Sequence, residues 1–394
     1  MNEYDQVNFL QFDFQTEEGK NETIQLSKPI KIVQTYSLDN VVSLIDIVEE
    51  ASNKGYYCAG FISYDAAPAF DSYCLVQNSS EFPLLWFGVY DPADVVKKGS
   101  VSENVTSHGF KLNWKSSIDK IQYIDSIKKI KEEIYQGNSY QVNYTMRLRS
   151  HFFGNDYELY RQLRKNQNGK YSAYLNTGRH RVLSLSPELF FEWNGQDIVT
   201  RPMKGTVQRG RWSEEDRNNR DFLLQSEKER AENIMIVDLL RNDLSRISDP
   251  MTIEANPIFS IEKYPTVFQM TSTIRAKTQH NVKLSDVFCA LFPCGSITGA
   301  PKIRTMRIIS DIEDSPRGIY CGAIGLIEPH KNKYIFNVAI RTVIIDKENN
   351  SAEYGVGGGI TWDSTAEGEY QEVISKAKIL KGSATDIGFF DNWL

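Results

Sequence analysis

The chain has 394 residues, 41% hydrophobic and 24% charged, an ordinary globular composition with ample length for a buried core. A formal net charge of −6 excludes nucleic acid as the main partner, because binding a phosphate backbone needs a basic footprint. No apolar run is long enough to span a bilayer, the N-terminus has no basic-then-apolar leader, and five cysteines without metal-ligand spacing fit free thiols in a reducing cytosol, so a cytoplasmic protein is expected.

FLQFDFQ and IKIVQTY read as strands, and NVVSLIDIVEEASNKG spaces its apolar residues as a helix that stops on glycine. GYYCAGFISYD and PLLWFGVYD read as strands. The polar, turn-rich stretch 91–118 reads as a boundary. An N-terminal α+β part over 1–117, packing on a larger unit over 118–394, is the expected organisation. The second unit opens with the helix SIDKIQYIDSIKKIKEEIYQG, the strand SYQVNYTMRLRS and the helix DYELYRQLRKNQ. The strands YSAYLNTG and RVLSLSPELFFEW lead to RPMKGT, which reads as a small turn, followed by a run of arginines and acids. SEKERAENIMIVDLLRNDLSRI, LSDVFCALFP and IRTMRIISDIEDS read as helices, with the loop CGSITGAPK before the third. IYCGAIGLIEP, KYIFNVAIRTVIID and AEYGVGGGITWD read as strands, and AEGEYQEVISKAKILKG as a closing helix. No internal repeat appears. The fold class is α+β, a large, mostly antiparallel β-sheet system flanked by helices.

Several residues could carry chemistry. Lys204 lies between a proline and a glycine with Arg201, Arg209 and Arg211 close by in sequence. Clustered cations lower a lysine's pKa and make it nucleophilic; the plain alternative is a solvated turn. Glu229 and Glu232 share one helix face, and Glu369 and Glu372 repeat the spacing. Each pair alone reads as a solvated face, with Glu372–Lys376 an ordinary i,i+4 pair; all four together could hold a hard cation such as Mg2+. Small residues in CGSITGAPK, including Thr298 and Gly299, precede a helix and could offer backbone N–H groups to an anion. Gly357, Gly358 and Gly359 either make a tight turn or let backbone approach a ligand. Arg341, charged among apolar strand neighbours, needs a carboxylate from a ligand or from an internal salt bridge.

SPELFF, RPMKGT, RAENIMIVDLLRNDLSRI, YPTVFQMTSTI, FPCGSITGAPK, RGIYCGAIG, VAIRTVII and GGGITWDS with the following ExEYQE occur in one order. Together they resemble the chorismate-utilising enzymes: anthranilate synthase large subunit, aminodeoxychorismate synthase component I, and isochorismate and salicylate synthases. The resemblance covers about residues 120–380, with a weaker part at GFISYDAAPAFD. It implies a catalytic domain over 118–394 with a central cleft for chorismate and Mg2+. By position, Glu232 and Glu372 resemble the metal ligands, supported by Glu229 and Glu369. Tyr320 and Arg341, with backbone from Gly357 to Gly359, resemble the grip on the enolpyruvyl carboxylate, and Thr298, Gly299 and Thr206 line the same site. Glu188 resembles the general acid at the C4 hydroxyl.

Lys204 stands where the anthranilate- and isochorismate-forming members have alanine. The lysine form marks the members that aminate chorismate at C4, through attack of the lysine on C2, and the nearby arginines, Mg2+ and partial burial would each lower its pKa for that role. Gln141 stands where isochorismate- and salicylate-forming members have a water-activating lysine, and Gln269 where many relatives have histidine. The resemblance further implies an ammonia-supplying glutamine amidotransferase partner, since no such segment or fused lyase is read in this chain. Direct anthranilate formation and a chorismate-binding protein without turnover are the rival readings.

Overall fold

The computed structural model describes residues 7–15, 21–77, 81–99, 110, 112–167, 169–264 and 267–382. Most of the 91–118 stretch beyond residue 99, and Pro265 and Thr266 of the YPTVFQ motif, lie outside the described residues. The helices used below are α1 (Val41–Asn53), α2 (Lys120–Tyr135), α3 (Asp156–Asn166), α4 (Ser213–Gln225), α5 (Glu227–Ser245), α6 (Leu284–Leu291), α7 (Lys302–Ile312) and α8 (Ala366–Ala377).

Neighbouring strands run antiparallel in three sheets. A ten-stranded sheet runs in the order Gly299–Ala300, Gln141–His151, Ser351–Ile360, Thr342–Asp346, His180–Ser186, Tyr171–Asn176, Leu10–Gln15, Asn21–Leu26, Val95–Gly99, with Lys115–Ser116 also on Gln141–His151. A nine-stranded sheet runs Glu254–Ala255, Ile274–Lys277, Asp197–Arg201, Leu189–Trp193, Lys333–Val338, Ala323–Glu328, Tyr57–Ile62, Leu85–Tyr90, Lys31–Thr35. The third has Met203–Gln208, Val267–Thr271 and Ser260–Lys263.

The period-two side-chain alternation of strands explains the layering. Leu10, Phe12 and Ile24 of the first large sheet share a core with Tyr57, Phe61, Ile324 and Leu326 of the second. Alternate residues Cys58 and Ile62 turn to the other face and pack in one cluster with Ile45 of α1, Leu240 of α5 and Phe288 of α6. Tyr144, Met146 and Leu148 pack in another with Tyr123 of α2, Tyr160 of α3, Ile308 of α7 and Val373 of α8. The result is a helix–sheet–sheet–helix sandwich. The described residues of 1–117 do not make a sheet of their own. Leu10–Gln15 pairs with Tyr171–Asn176, and Tyr57–Ile62 pairs with Ala323–Glu328, so strand edges on both sides are satisfied by the other part of the chain.

The sequence reading differs from the structure in informative places. RVLSLSPELFFEW is two strands in two sheets, broken at Pro187, which has no N–H to continue a ladder. KYIFNVAIRTVIID is also two strands, crossing between the sheets at residues 339–341. RPMKGT is not a turn: Arg201 ends one strand, and Met203 to Thr206 begin the next, Met203–Gln208, in the three-stranded sheet. The run of arginines and acids after it ends in α4, whose single fully buried residue, Leu223, left no apolar periodicity to read. Among the described residues no helix is long and apolar enough to cross a membrane, and all five cysteines are free thiols.

Candidate active site

Glu188 and Arg341 occupy two of the points where the chain crosses between the large sheets. The crossings brace each other: Val338 N–H donates to the Glu188 carbonyl at 3.1 Å, and Leu185 N–H to the Arg341 carbonyl at 3.0 Å. The Glu188 side chain is buried, and the Ser296 hydroxyl donates to its Oε1 at 2.6 Å. Burial raises its pKa from 4.5 to about 7, against the lowering effects of Ser296, Lys204, the Met203 backbone and Arg341. Such a carboxyl is a proton donor near neutrality.

Arg341 takes a positive φ of 53° at its crossing. Its guanidinium lies against the side-chain amide of Gln167, and among the described residues no carboxylate pairs with it. Burial lowers its pKa, opposed by Tyr354, Tyr264 and Glu188. The internal salt bridge is therefore not formed, and a desolvated guanidinium with a neutral neighbour suits an incoming carboxylate. Tyr320 packs against Gly355, where a Cβ would strike its ring, and Arg147 lies 5.3 Å from its ring centroid. Tyr354 is the electrostatic neighbour common to Tyr320 and Arg341.

Lys204 sits in a β-bulge. Met203 pairs with Thr271 but Thr206 pairs with Gln269, which leaves one extra residue in the lysine strand. Gly205 absorbs the distortion at φ +94°, a conformation that favours glycine. The Asn233 amide donates to the Lys204 carbonyl at 3.3 Å and the Gln269 amide to the Gly205 carbonyl at 2.9 Å, so both bulge carbonyls are held. The bulge delivers the ammonium to the ten-stranded sheet. A Cβ on Gly359 would lie 2.8 Å from Lys204 Nζ and would collide with the Gln141 amide. Gln141 is fully buried, and both polar atoms of its amide lack a hydrogen-bond partner.

Burial is the main cause of a lowered Lys204 pKa; Lys376 adds to it, while Glu232, Glu188 and Glu372 oppose it. The arginines expected to do this do not. Arg209 pairs with Asp216 at 2.6 Å, Arg211 with Glu215 at 3.4 Å and Arg201 with Glu262 at 3.6 Å, so each carries its own counter-charge.

The four glutamates come from α5 and α8. A Cβ on Gly358 would lie 3.2 Å from Glu369 Oε2 and 3.5 Å from Glu372 Oε1, and one on Gly205 would lie 3.1 Å from Glu229 Oε2. Burial raises the pKa of Glu229, Glu232 and Glu369, and Glu372 adds like-charge repulsion at each. Glu372 itself is held low by Lys376, whose ammonium is 2.7 Å away and also donates to the Gly357 carbonyl at 2.8 Å. The i,i+4 pair is thus real, yet the set is not a plain solvated face: Glu369 is buried, with Oε2 lacking a partner. Among the described residues no three metal-ligating side chains converge closely enough to hold an ion as they stand. The donor set nevertheless fits a hard dication: it is all oxygen, three of its carboxyls are pushed up by burial and mutual repulsion, and one oxygen is orphaned.

Gly357, Gly358 and Gly359 are strand residues opposite Thr145, Tyr144 and Asn143, so the tight-turn alternative is not realised. The Thr298 carbonyl accepts from Asn143 N–H at 2.8 Å, and Gly299 pairs with Val142 at φ +137°. These two residues brace the strand that carries Gln141, and α7 starts only at Lys302. The Thr206 hydroxyl is engaged with Gln269 Oε1 at 3.0 Å. Ser296 was read only as part of the anion-offering loop, and Asn233 not at all, because their partners are 108 and 29 residues away.

Residues 10–382 match the chorismate binding enzyme family. Aminodeoxychorismate synthase component 1 of Escherichia coli is 34% identical over 345 residues, covering 82% of this chain and 76% of that one. Anthranilate synthase component 1 of Aquifex aeolicus is 38% identical over 268 residues, covering 68% of this chain and 54% of that one. Among solved structures, anthranilate synthase component I from Streptococcus pneumoniae superposes with a TM-score of 0.79 at 26% identity, covering 91% of both chains.

Proposed function

The chain belongs to the chorismate binding enzyme family, and from that premise we propose that it aminates chorismate at C4, giving 4-amino-4-deoxychorismate. The observation that carries this reading is Lys204: a buried amine of lowered pKa, aimed by a bulge at Gly359 and Gln141. As the free base it attacks C2 of chorismate. A C2–N bond forms, both conjugated ring double bonds shift one position round the ring from C2 through C1, C6 and C5 towards C4, and the C4–O bond breaks as Glu188 gives its proton to the departing hydroxyl, releasing water. Ammonia then attacks C4, both double bonds shift back, and the C2–N bond breaks to return the Lys204 amine. Arg341 holds the enolpyruvyl carboxylate, with the Gly357–Gly359 backbone beside it. Mg2+, held by Glu232 and Glu372 with Glu229 and Glu369 behind them, would neutralise the substrate's ring carboxylate. The relatives' designation as component 1 supports a separate partner, and a glutamine amidotransferase supplying ammonia fits that place.

Direct anthranilate formation is the second reading, favoured by the Aquifex and Streptococcus similarities and opposed by Lys204. Incubation with chorismate, ammonium and Mg2+, with products separated by chromatography, distinguishes the two. 4-Amino-4-deoxychorismate is expected. Anthranilate appearing directly, or no consumption of chorismate, rejects the proposal. With ammonia omitted, intact-mass analysis of quenched enzyme should show an adduct mapping to the Lys204 peptide, and full activity in Lys204→Ala rejects the covalent route.

A further inference from the structure

We propose that Ser296 and Cys294 position the general acid Glu188, through a donor chain running from the Cys294 thiol to the Ser296 hydroxyl to Glu188 Oε1. The inference deepens the amination reading and rests on Glu188 as its proton donor. The Ser296 hydroxyl has one hydrogen, and at 2.6 Å from a carboxyl oxygen that hydrogen goes to Glu188. The Cys294 Sγ to Ser296 Oγ contact at 3.3 Å then has only the thiol left as donor. Burial supports this polarity, since it pushes the Cys294 thiol up to about 12 and keeps its hydrogen in place. All three side chains are buried, which leaves little room for water to replace a missing link. The loop is itself fixed: the Thr298 hydroxyl donates to the Cys294 carbonyl at 3.2 Å.

The chain has a chemical consequence. An oxygen that accepts a short hydrogen bond is the carbonyl oxygen of the neutral acid, so the transferable proton resides on Oε2. Ser296 thereby selects which oxygen delivers the proton. It also favours the carboxylate and so limits how far burial raises the pKa. The other groups facing Glu188 are the Lys204 ammonium, the Arg341 guanidinium and the Met203 backbone N–H. All remain in a Ser296 variant, so its effect is separable from theirs.

The test is an infrared titration of the full chain, with the Glu188 carboxyl band identified by its loss in Glu188→Gln. In Ser296→Ala the midpoint should rise by about one to two pH units, because a hydrogen bond to the charged form is lost. Ser296→Thr keeps the hydroxyl and should return it to the wild-type value, while Cys294→Ala should shift it the same way by less. In turnover, Ser296→Ala should lower kcat about tenfold or more with KM little changed, and its alkaline limb should move up with the midpoint. If Ser296→Ala fails to fold, Ser296→Cys, a near-isosteric weaker donor, should give a partial upward shift. An unchanged midpoint in a folded variant overturns the proposal. Wild-type protein that consumes no chorismate sinks the amination reading instead and leaves the titration result standing.

Discussion

Gly359→Ala is the sharpest test of where the chemistry occurs. The backbone of Gly359 lies in a regular strand outside the left-handed region, so alanine adds one methyl group without conformational strain. That methyl would start 2.8 Å from Lys204 Nζ, whereas comfortable non-bonded contact is about 3.5–4.0 Å. It would also start closer still to Nε2 of the buried Gln141, so both neighbours must give way, and restoring ordinary contact moves the ammonium by about 0.7–1.2 Å. A displacement of about 1 Å at a reacting atom costs roughly 100-fold in rate, or about 2.7 kcal/mol of transition-state stabilisation. Overpacking should cost about 1–3 kcal/mol of stability, little enough for the variant to fold. Steady-state kinetics with chorismate and ammonium, alongside thermal unfolding, reads both quantities. Gly358→Ala, whose Cβ meets the Glu369 and Glu372 oxygens at 3.2 and 3.5 Å and not Lys204, should instead show itself in the Mg2+ dependence. Gly359→Ala with wild-type kcat/KM would refute the assignment of Lys204 and its surroundings as the reaction centre.

Arg341→Lys keeps the charge but loses the fork, and chorismate binding measured by calorimetry should weaken by about 1–3 kcal/mol; unchanged affinity would leave Arg341 without a ligand role. Glu372→Gln should weaken Mg2+ binding at least tenfold in a titration without chorismate, with the unfolding temperature little changed, and an identical Mg2+ isotherm removes Glu372 from the site. Glu188 has a folded-state pKa raised to about 7 from an ordinary 4.5, so its contribution to stability is intact below about pH 4.5 and is lost as pH rises through about 7. Denaturant unfolding should therefore find Glu188→Gln no more stable than wild type at pH 4 but more stable at pH 8, by up to about 3 kcal/mol, and equal stabilities at pH 8 would contradict a desolvated carboxyl. The activity profile should rise with pH as Lys204 loses its proton and fall as Glu188 does, and a profile flat through pH 7 would exclude Glu188 as the acid.

The residue types of the candidate site were legible in the sequence, because they stand at local spacings. Two glutamate pairs three residues apart had to share helix faces, and α5 and α8 present them so. Ordered motifs named Glu188, Lys204 and Arg341 without any knowledge of what surrounds them. The surroundings were decided by contacts between distant segments. Whether Arg341 is paired or free depends on which strands cross at residues 339–341, and whether Lys204 lies in a turn or a bulge depends on its register with Val267–Thr271. The lowering of the Lys204 pKa was read from the nearby arginines, Mg2+ and partial burial. Burial is its main cause, the arginines are not among its causes, and Lys376, brought there by a different helix, adds to it. Antiparallel pairing joins residues far apart in the chain through backbone groups common to every amino acid, so a linear pattern can mark a strand but cannot say which strand lies beside it. Charge and burial at a site follow from that pairing, and so does the pKa of each group in it.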